Sequence, residues 1–431
     1  MIMTTIEQNI KKGYKQTEVG VIPEDWEVKK IGKLSNVVRG GSPRPAGDPK
    51  YFNGNYISWL TVAALTNIPD SQIYVSETIG FLTEEGSKRS RTLDADTLII
   101  ANSGATLGVA KVLGIRCCAN DGIAALVNVN PKIEKKYIAY YINTITKSLR
   151  EVVATGNGQP NLNTELIGDI SIPLPPTKAE QTAISNVLSD VDNLIGSLEK
   201  LIAKKRNIKQ GAMQELLTGK KRLSGFSGKW EVKKLGDVVD IVPSGIYGEE
   251  KPKEGLHPYR VATTAHIDEN DAWNKKEMAL RFFCREQIAQ YSPLIGDLII
   301  VKSSGSAEKI QSGKVGYVSQ ENVGSFLFSN FLMLLRPISI YPQFLYYYLT
   351  SFNVKKLLPS LVEASTYPNI RIEEYLSLDI PFPPKEEQTA IANILSDMDT
   401  ELEALEQKLD KYRMIKQGIM QELLTGKTRL I

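Results

Sequence analysis

The chain is poor in the residues from which metal centres, disulfide scaffolds and membrane anchors are made. Three cysteines (Cys117, Cys118, Cys284) and two histidines (His257, His266) occur in 431 residues. That is too few for a four-ligand zinc site at the usual spacing, and adjacent Cys117 and Cys118 read as reduced packing residues. No apolar run approaches the roughly 20 residues needed to cross a bilayer, and the opening MIMTTIEQNIKKGYK lacks the apolar centre of a secretory signal, so a cytoplasmic protein is expected. Charge of one sign is missing too. With a formal net charge of +3, nucleic-acid binding would have to rest on local patches rather than a global field.

Motifs for chemistry are equally scarce. GKT at Gly426–Thr428 resembles the end of a phosphate-binding loop, but Gln421 stands where that loop needs its first glycine. Glu27 and Glu231, each in a WEVKK run, supply half of a nuclease metal site without the Pro-Asp partner. There is no G-x-G-x-x-G fingerprint and no Asn/Asp-Pro-Pro-aromatic motif, since the paired prolines at 175–176 and 383–384 follow Leu174 and Phe382. No catalytic residue and no bound metal are expected.

What the sequence does have is an internal repeat. Residues 181–223 and 388–430 share 27 identities over 43 ungapped positions, 207 residues apart. IPLPP (172–176) is answered by IPFPP (380–384), WEVKKIG (26–32) by WEVKKLG (230–236), and DTLIIANSG (96–104) by DLIIVKSSG (297–305). Each half is thus a variable domain followed by a repeated segment. The variable domains diverge most in polar, glycine-rich stretches, so one framework carries two different surfaces.

The repeated segments read as long helices. Ile391, Leu395, Met398, Leu402, Leu405, Leu409, Tyr412, Ile419 and Leu423 recur at alternating spacings of four and three, interrupted by Lys416. In the first copy the seam runs through Ile184, Leu188, Val191, Ile195, Leu198 and Ile202, then meets Lys205 and Lys209, where Leu201 and Ile208 offer a neighbouring apolar stripe. Pro175 and Pro176 stop the preceding strand, and Thr177 with Glu180 fits a capping box; Gly219 and Gly426 suit carboxy-terminal caps. About 37 helical residues make a rod of roughly 55 Å. A single apolar stripe needs a partner, and the order domain, rod, domain, rod lets the two rods pair only in antiparallel fashion. A coiled coil between two chains is the alternative.

Packing does not explain why KQG-x-MQELLTGK recurs through its polar positions. It includes Gly211 and Gly418, each costing a helix about 1 kcal/mol relative to alanine, which suggests close approach of another backbone. Gln210, Gly211, Gln214 and Glu215, with Gln417, Gly418, Gln421 and Glu422, therefore form two equivalent partner surfaces for two copies of one partner.

In the variable domains LIIAN (98–102), AALVNV (124–129), DLIIVKS (297–303) and FLMLLRP (331–337) read as strands, followed by aromatic helices around Tyr137 and Tyr346 whose tyrosines suit core packing better than base stacking. Donor-rich loops are the candidate nucleic-acid contacts, since base edges and phosphates are read by arginine forks, amides, hydroxyls and lysines on a scaffolded edge. In the first half these are Arg39, Ser42, Arg44, Lys50, Lys88, Arg89, Arg91, Asn102, Ser103, Gln159 and Asn161. In the second they are Lys251, Lys253, Tyr259, Arg260, Lys275, Lys276, Lys302, Ser303, Ser304, Lys309, Thr366, Asn369 and Arg371. Gln159, Asn161 and Asn163, like Thr366, Asn369 and Arg371, serve equally well as turn residues.

The order IPEDWEVKKIG (22–32), IPLPPTKAEQTAI (172–184), MQELLTGKKRL (213–223), GKWEVKKLGDV (228–238), IPFPPKEEQTAI (380–391) and MQELLTGKTRL (420–430) resembles the DNA-specificity subunit of type I restriction-modification systems, over essentially the whole chain. GGSPRP with Tyr51 and Trp59 is also similar to the opening of a recognition domain common in that family, whereas IVPSGIYGEE in the second half is shorter and differently composed.

The resemblance implies an α+β chain: two mixed α/β target-recognition domains joined by two long antiparallel helices as an intramolecular coiled coil, with a pseudo-twofold internal repeat. The expected divisions are residues 1–172 (recognition domain with an amino-terminal arm), 173–222 (central helical repeat), 223–380 (second recognition domain) and 381–431 (distal helical repeat). Each recognition domain would read half of a split, asymmetric double-stranded DNA target, the helices fixing the gap. Two methyltransferase subunits would dock on the helices and bring restriction subunits. The chain would hold no cofactor, with S-adenosylmethionine, ATP and Mg²⁺ carried by its partners. A protein-binding scaffold, or an enzyme with a degenerate site, is the rival expectation.

Overall fold

The computed structural model describes residues 10–153, 161–274, 276–304, 310–324, 326–363 and 368–430. Two compact units result, one made of residues 1–201 and 405–431 and the other of residues 202–404. Four helices matter below: α1 (Lys135–Thr144), α2 (Lys178–Leu216), α3 (Pro342–Leu349) and α4 (Lys385–Leu423). Each unit holds one variable domain and a part of both α2 and α4.

In unit 1 a five-stranded sheet runs Asn36–Arg39, Ile123–Val127, Leu98–Ala101, Ala110–Leu113, Tyr74–Val75, beside a four-stranded sheet in the order Gly80–Leu82, Phe52–Leu60, Cys117–Ala119, Arg91–Leu93. The central strand is apolar at every position because both of its faces are covered. Leu98 and Ile100 pack with Tyr137 and Ile138 of α1, while Ile99 and Ala101 pack with Leu60 and Cys117. Unit 2 repeats this alternation. Leu298 and Ile300 face Phe344 and Leu345 of α3, and Ile299 and Val301 face Ala262 and Phe328. Cys117 and Cys118 are buried and reduced, and burial pushes the Cys117 thiol up to about 12.

Tyr137, Tyr140, Tyr141 and Tyr347 are buried, so the aromatic helices serve the core. The WEVKK runs have a structural role of their own. Strand Glu27–Lys30 pairs antiparallel with Ser171–Leu174, and Glu231–Lys234 with Asp379–Phe382, so the chain entering each variable domain is hydrogen-bonded to the chain leaving it. Glu27 is exposed and paired with Lys29 at 2.6 Å, as befits the outer face of a two-stranded ribbon.

α2 and α4 are 39 residues each, about 58 Å of helix. Thr177 Oγ1 accepts the Glu180 amide (3.2 Å), giving half of the expected capping box. The other half is absent, because the buried Glu180 carboxylate binds the Arg429 guanidinium instead. Past the helix ends, Gly219 and Gly426 adopt φ of +69° and +70°, the left-handed turn that glycine tolerates best. Seam residues Ile184, Leu188, Ile195, Leu198, Ile202, Ile391, Leu395, Leu402, Leu409 and Leu423 are buried, each contributing about 1.5–3 kcal/mol by leaving water.

Within each unit the two helix segments run in opposite directions. In unit 1 Asp192 meets Lys416 and Glu199 meets Arg413; in unit 2 Lys205 meets Glu401 and Lys209 meets Asp399. This corrects one expectation. The seam does not shift to Leu201 and Ile208, which stay 39% and 46% exposed. Lys205 and Lys209 hold their heptad places because each finds a carboxylate on the facing helix, so no change of phase is needed.

One buried lysine forms no salt bridge among the described residues. Lys111, on strand Ala110–Leu113, is 2% exposed and donates to the carbonyls of Pro69 (3.0 Å) and Gln72 (2.6 Å). Burial pulls its ammonium down to about 8. Between pH 8 and the ordinary value of 10.5 the unfolded chain keeps a proton that the folded chain has released, so the Lys111 contribution to stability rises with pH across that window. Below pH 8 its penalty is full and flat. Replacing Lys111 with methionine is expected to abolish this component, read as the difference between variant and parent urea midpoints from pH 7 to pH 10.

Candidate nucleic-acid interface

In unit 1 the turn Asn120–Asp121–Gly122 gathers donors that are far apart in sequence. Ser42 Oγ donates to the Asp121 carboxylate (2.7 Å), the Arg44 guanidinium lies 3.7 Å from it, and Arg39 Nε donates to the Asp121 carbonyl. Arg91 Nε donates to the Arg39 carbonyl (2.6 Å), and Ser90 Oγ to the Gly41 carbonyl (2.6 Å). The loops that begin at Arg39 and at Ser87 thus form one surface with Arg39, Arg44, Arg89 and Arg91 exposed on it. Tyr51 packs beneath the Arg89 guanidinium (5.1 Å) and the Lys50 ammonium (5.8 Å). Lys88 is held by Glu84 at 3.2 Å. Exposed ion pairs of this kind contribute about 0–1 kcal/mol, so the carboxylate holds Lys88 only weakly.

Asn102 is buried, its amide donating to the Asp121 carbonyl (3.3 Å), so it braces the turn from below. Ser103 forms an isolated bridge to Asn161, and Ser303 forms the matching bridge to Asn369. The strand-end loop and the loop ahead of the proline stop therefore meet in both units. Asn163 Oδ1 accepts the Leu166 amide (2.8 Å) and caps the helix Thr164–Gly168, whereas Arg371 precedes the helix Ile372–Leu376 without a side-chain cap and pairs with Glu374 at 2.6 Å. Gln159, Lys275, Lys309 and Thr366 lie outside the described residues.

In unit 2 the candidates fall on two sheets. Arg260, on strand His257–Ala262 of the three-stranded sheet, pairs with Glu277 (3.2 Å) and the Met278 carbonyl (2.8 Å); Tyr259 packs half-buried beside it, and Lys276 is exposed. Lys251 is exposed and Lys253 is held by Glu249 at 2.9 Å. Lys302 follows the central strand of the four-stranded sheet with its ammonium pulled below the ordinary value by burial, and Ser303 and Ser304 are buried.

Sequence reasoning missed Asp121, the residue around which the unit 1 surface is arranged. Its signal was the NDG turn chemistry of residues 120–122. It also missed Gln181 and Gln388, each donating to a proline carbonyl before its own helix and accepting the amide that begins the aromatic helix, Glu134 (2.9 Å) or Tyr341 (2.7 Å).

Gln210, Gly211, Gln214 and Glu215 cover one helix face, Gln417, Gly418, Gln421 and Glu422 the other, and all eight are exposed. A β-carbon added at Gly211 or Gly418 would meet nothing within 4 Å, so no packing among the described residues requires either glycine. In unit 1 this face adjoins a cavity of about 540 Å³ lined by Lys111, Tyr140, Asn143, Gln417, Met420 and Gln421. Among the described residues no group of three or more His, Cys, Asp or Glu side chains is placed to hold a metal ion, and no helix is long and apolar enough to cross a membrane.

One mixed α/β framework used twice, each copy with donor-rich loops and its own long helix, defines the class: a modular protein built as a tandem repeat. The chain belongs to the type I restriction modification DNA specificity domain family, whose model matches it twice, at residues 23–208 and 227–411. As a specificity subunit it is not itself an enzyme. It is 28% identical to the type I restriction enzyme MjaVIII specificity subunit of Methanocaldococcus jannaschii, over 95% of this chain and 94% of that one. It is 27% identical to the putative MjaX specificity subunit of the same organism, over 97% of each. In fold it is similar to the crystal structure of a type I restriction-modification S subunit from M. genitalium (TM-score 0.59, 16% identity, 92% of this chain and 96% of that one). It is also similar to a chain from a structural study of complex assembly and conformational transition in a type I R-M system (TM-score 0.52, 17% identity, 94% and 99%).

Proposed function

We propose that this chain reads a bipartite, asymmetric double-stranded DNA target, one half with each variable domain, and holds two methyltransferase subunits that in turn bring restriction subunits. The observation that carries this is the double match of the family model, one match to each half. α2 and α4 pair as an antiparallel intramolecular coiled coil with pseudo-twofold symmetry and act as the ruler for the unspecified gap. The antiparallel course of the segments within each unit supports this, as does the 207-residue offset of the repeat. S-adenosylmethionine, ATP and Mg²⁺ belong to the partner subunits, and the complex works in the cytoplasm.

The partner faces are the two polar helix surfaces around Gly211 and Gly418, supported by their repetition and by the open space above both glycines. Replacing Gly418 with arginine is expected to reduce bound methyltransferase from two copies to one, read by light scattering of the mixed complex. Folding loss does not confuse the result, since a mid-helix glycine is itself worth about 1 kcal/mol of instability. Unchanged stoichiometry would sink this assignment.

The function is tested by mapping methylated bases in DNA from cells expressing the chain with its methyltransferase. A new bipartite motif with two half-sites is expected. No new motif, together with no complex between the two proteins, returns the chain to a scaffold role; affinity for DNA that ignored salt would say the same, because phosphate contacts lose strength steeply as counterions are added.

A further inference from the structure

Each unit sets one Tyr–Asp–Lys cluster at its apolar helix seam, the carboxylate buried in unit 1 and half-buried in unit 2. In unit 1 the Tyr140 hydroxyl, from α1, donates to Asp192 of α2 (2.8 Å), and Lys416 of α4 pairs with the same carboxylate at 2.6 Å, its ammonium 6.0 Å from the centre of the tyrosine ring. In unit 2 the Tyr347 hydroxyl, from α3, donates to Asp399 of α4 (2.8 Å), and Lys209 of α2 pairs with that carboxylate, 5.3 Å from the ring centre. Every member of the second cluster is 207 residues from its counterpart in the first. Asp192 is 3% exposed.

We propose that these two Tyr–Asp–Lys clusters are the register keys of the helix pair, and so determine the gap length between the two half-sites. This rests on the ruler reading above. A heptad seam is periodic, so apolar contacts alone are nearly as good after a slip of seven residues; a single buried polar pair is not periodic and specifies one register.

The sequence makes the penalty for slipping concrete. Seven residues to either side of Lys416 stand Leu409 and Leu423, and seven to either side of Lys209 stand Ile202 and Leu216, all four buried seam residues. A one-heptad slip would set Asp192 and Asp399 against leucine or isoleucine and leave one buried carboxylate, Asp192, and one half-buried carboxylate, Asp399, without a cation. The tyrosine adds a second constraint. It ties each carboxylate to a helix of the variable domain, so the same atom that sets helix against helix also seats the reading domain on the pair. These are positioning residues.

The test compares the parent with a variant in which both keys are apolar: Y140F, D192L and K416M with Y347F, D399L and K209M. In both backgrounds Lys205 and Glu401, which face each other at 2.6 Å, are changed to cysteine, and in a second pair Lys205 and Lys408 are. A short bis-maleimide then reads helix register without DNA. The parent is expected to cross-link 205 to 401, and the keyless variant to raise the 205–408 product at least tenfold. On DNA with the methyltransferase, the parent methylates at one gap length and the keyless variant also at a gap changed by about 3 base pairs, one heptad of rise.

A keyless chain that folds and keeps the parental cross-link overturns the key. One that slips in the cross-link yet keeps a single gap overturns its role in specificity. If the parent itself yields no bipartite motif while the cross-link slips, it is the ruler reading that fails and the register key that stands. Should the six-fold variant not fold, D399L with K209M alone carries the same cross-link comparison.

Discussion

Replacing Glu387 with alanine is expected to destabilise unit 2 by about 3 kcal/mol, at the lower end of the cost of breaking a buried ion pair. Glu387 is fully buried and accepts three bonds: from Arg222 Nε (2.6 Å), Arg222 Nη2 (2.7 Å) and Trp230 Nε1 (2.9 Å). Its loss leaves a guanidinium that is only 24% exposed without an anion, and the indole N–H of half-buried Trp230 without its acceptor. The same residue of the first repeat is expected to matter less. Glu180 binds Arg429 in the equivalent place, but Arg429 also reaches Asp25 at 2.9 and 3.0 Å, so Glu180→Ala leaves that cation paired. Urea denaturation followed by Trp fluorescence tests the order. Equal losses for the two variants would show that the burial of the carboxylate, rather than the pairing left behind, sets the cost.

Removing one heptad from each long helix is expected to shorten the gap between half-sites by about 3 base pairs and leave both half-sites unchanged, since seven residues are about 10 Å of helix. Residues 195–201 of α2 and 407–413 of α4 are the pair to delete, because Glu199 and Arg413 already face each other and leave together. Both Tyr–Asp–Lys clusters lie outside the deleted stretches. Methylated-site mapping reads the gap directly. A variant that methylates the parental spacing would sink the ruler, and one that alters either half-site would show that the helices do more than measure.

The reach of the sequence is clearest at the repeat. Heptad spacing, the proline stop at 175–176 and the glycines at 219 and 426 located both long helices, because these are local signals written in consecutive residues. The apolar strand at 98–101 and the tyrosines of the aromatic helix were legible for the same reason: burial on both faces removes alternation, and a helix that lies on a sheet shows its apolar face in its spacing.

What sequence misjudged were interactions whose partners are distant. Lys205 and Lys209 looked like faults in the seam, which made Leu201 and Ile208 attractive; the facing carboxylates lie some 190 residues away. Glu180 looked like the second half of a capping box until Arg429, 249 residues on, claimed it. Among the candidate contacts, Arg39, Arg44 and Arg91 proved to share one surface, while Asn102, Ser303 and Ser304 are buried. No spacing rule distinguishes them, since all sit at strand ends or in the polar stretches beside them.

The sequence by itself determined the twofold plan of the chain, its family, the long helices and the strands that feed them, because each of these rests on periodicity or on identity between two halves. Only the tertiary structure decided which acid answers each seam lysine, which donors gather around Asp121, and that no described residue covers Gly211 or Gly418. Those are facts of chain crossing. A carboxylate 190 residues from its lysine leaves no mark on local pattern, and the energy of a buried charge depends on the one neighbour that folding brings to it.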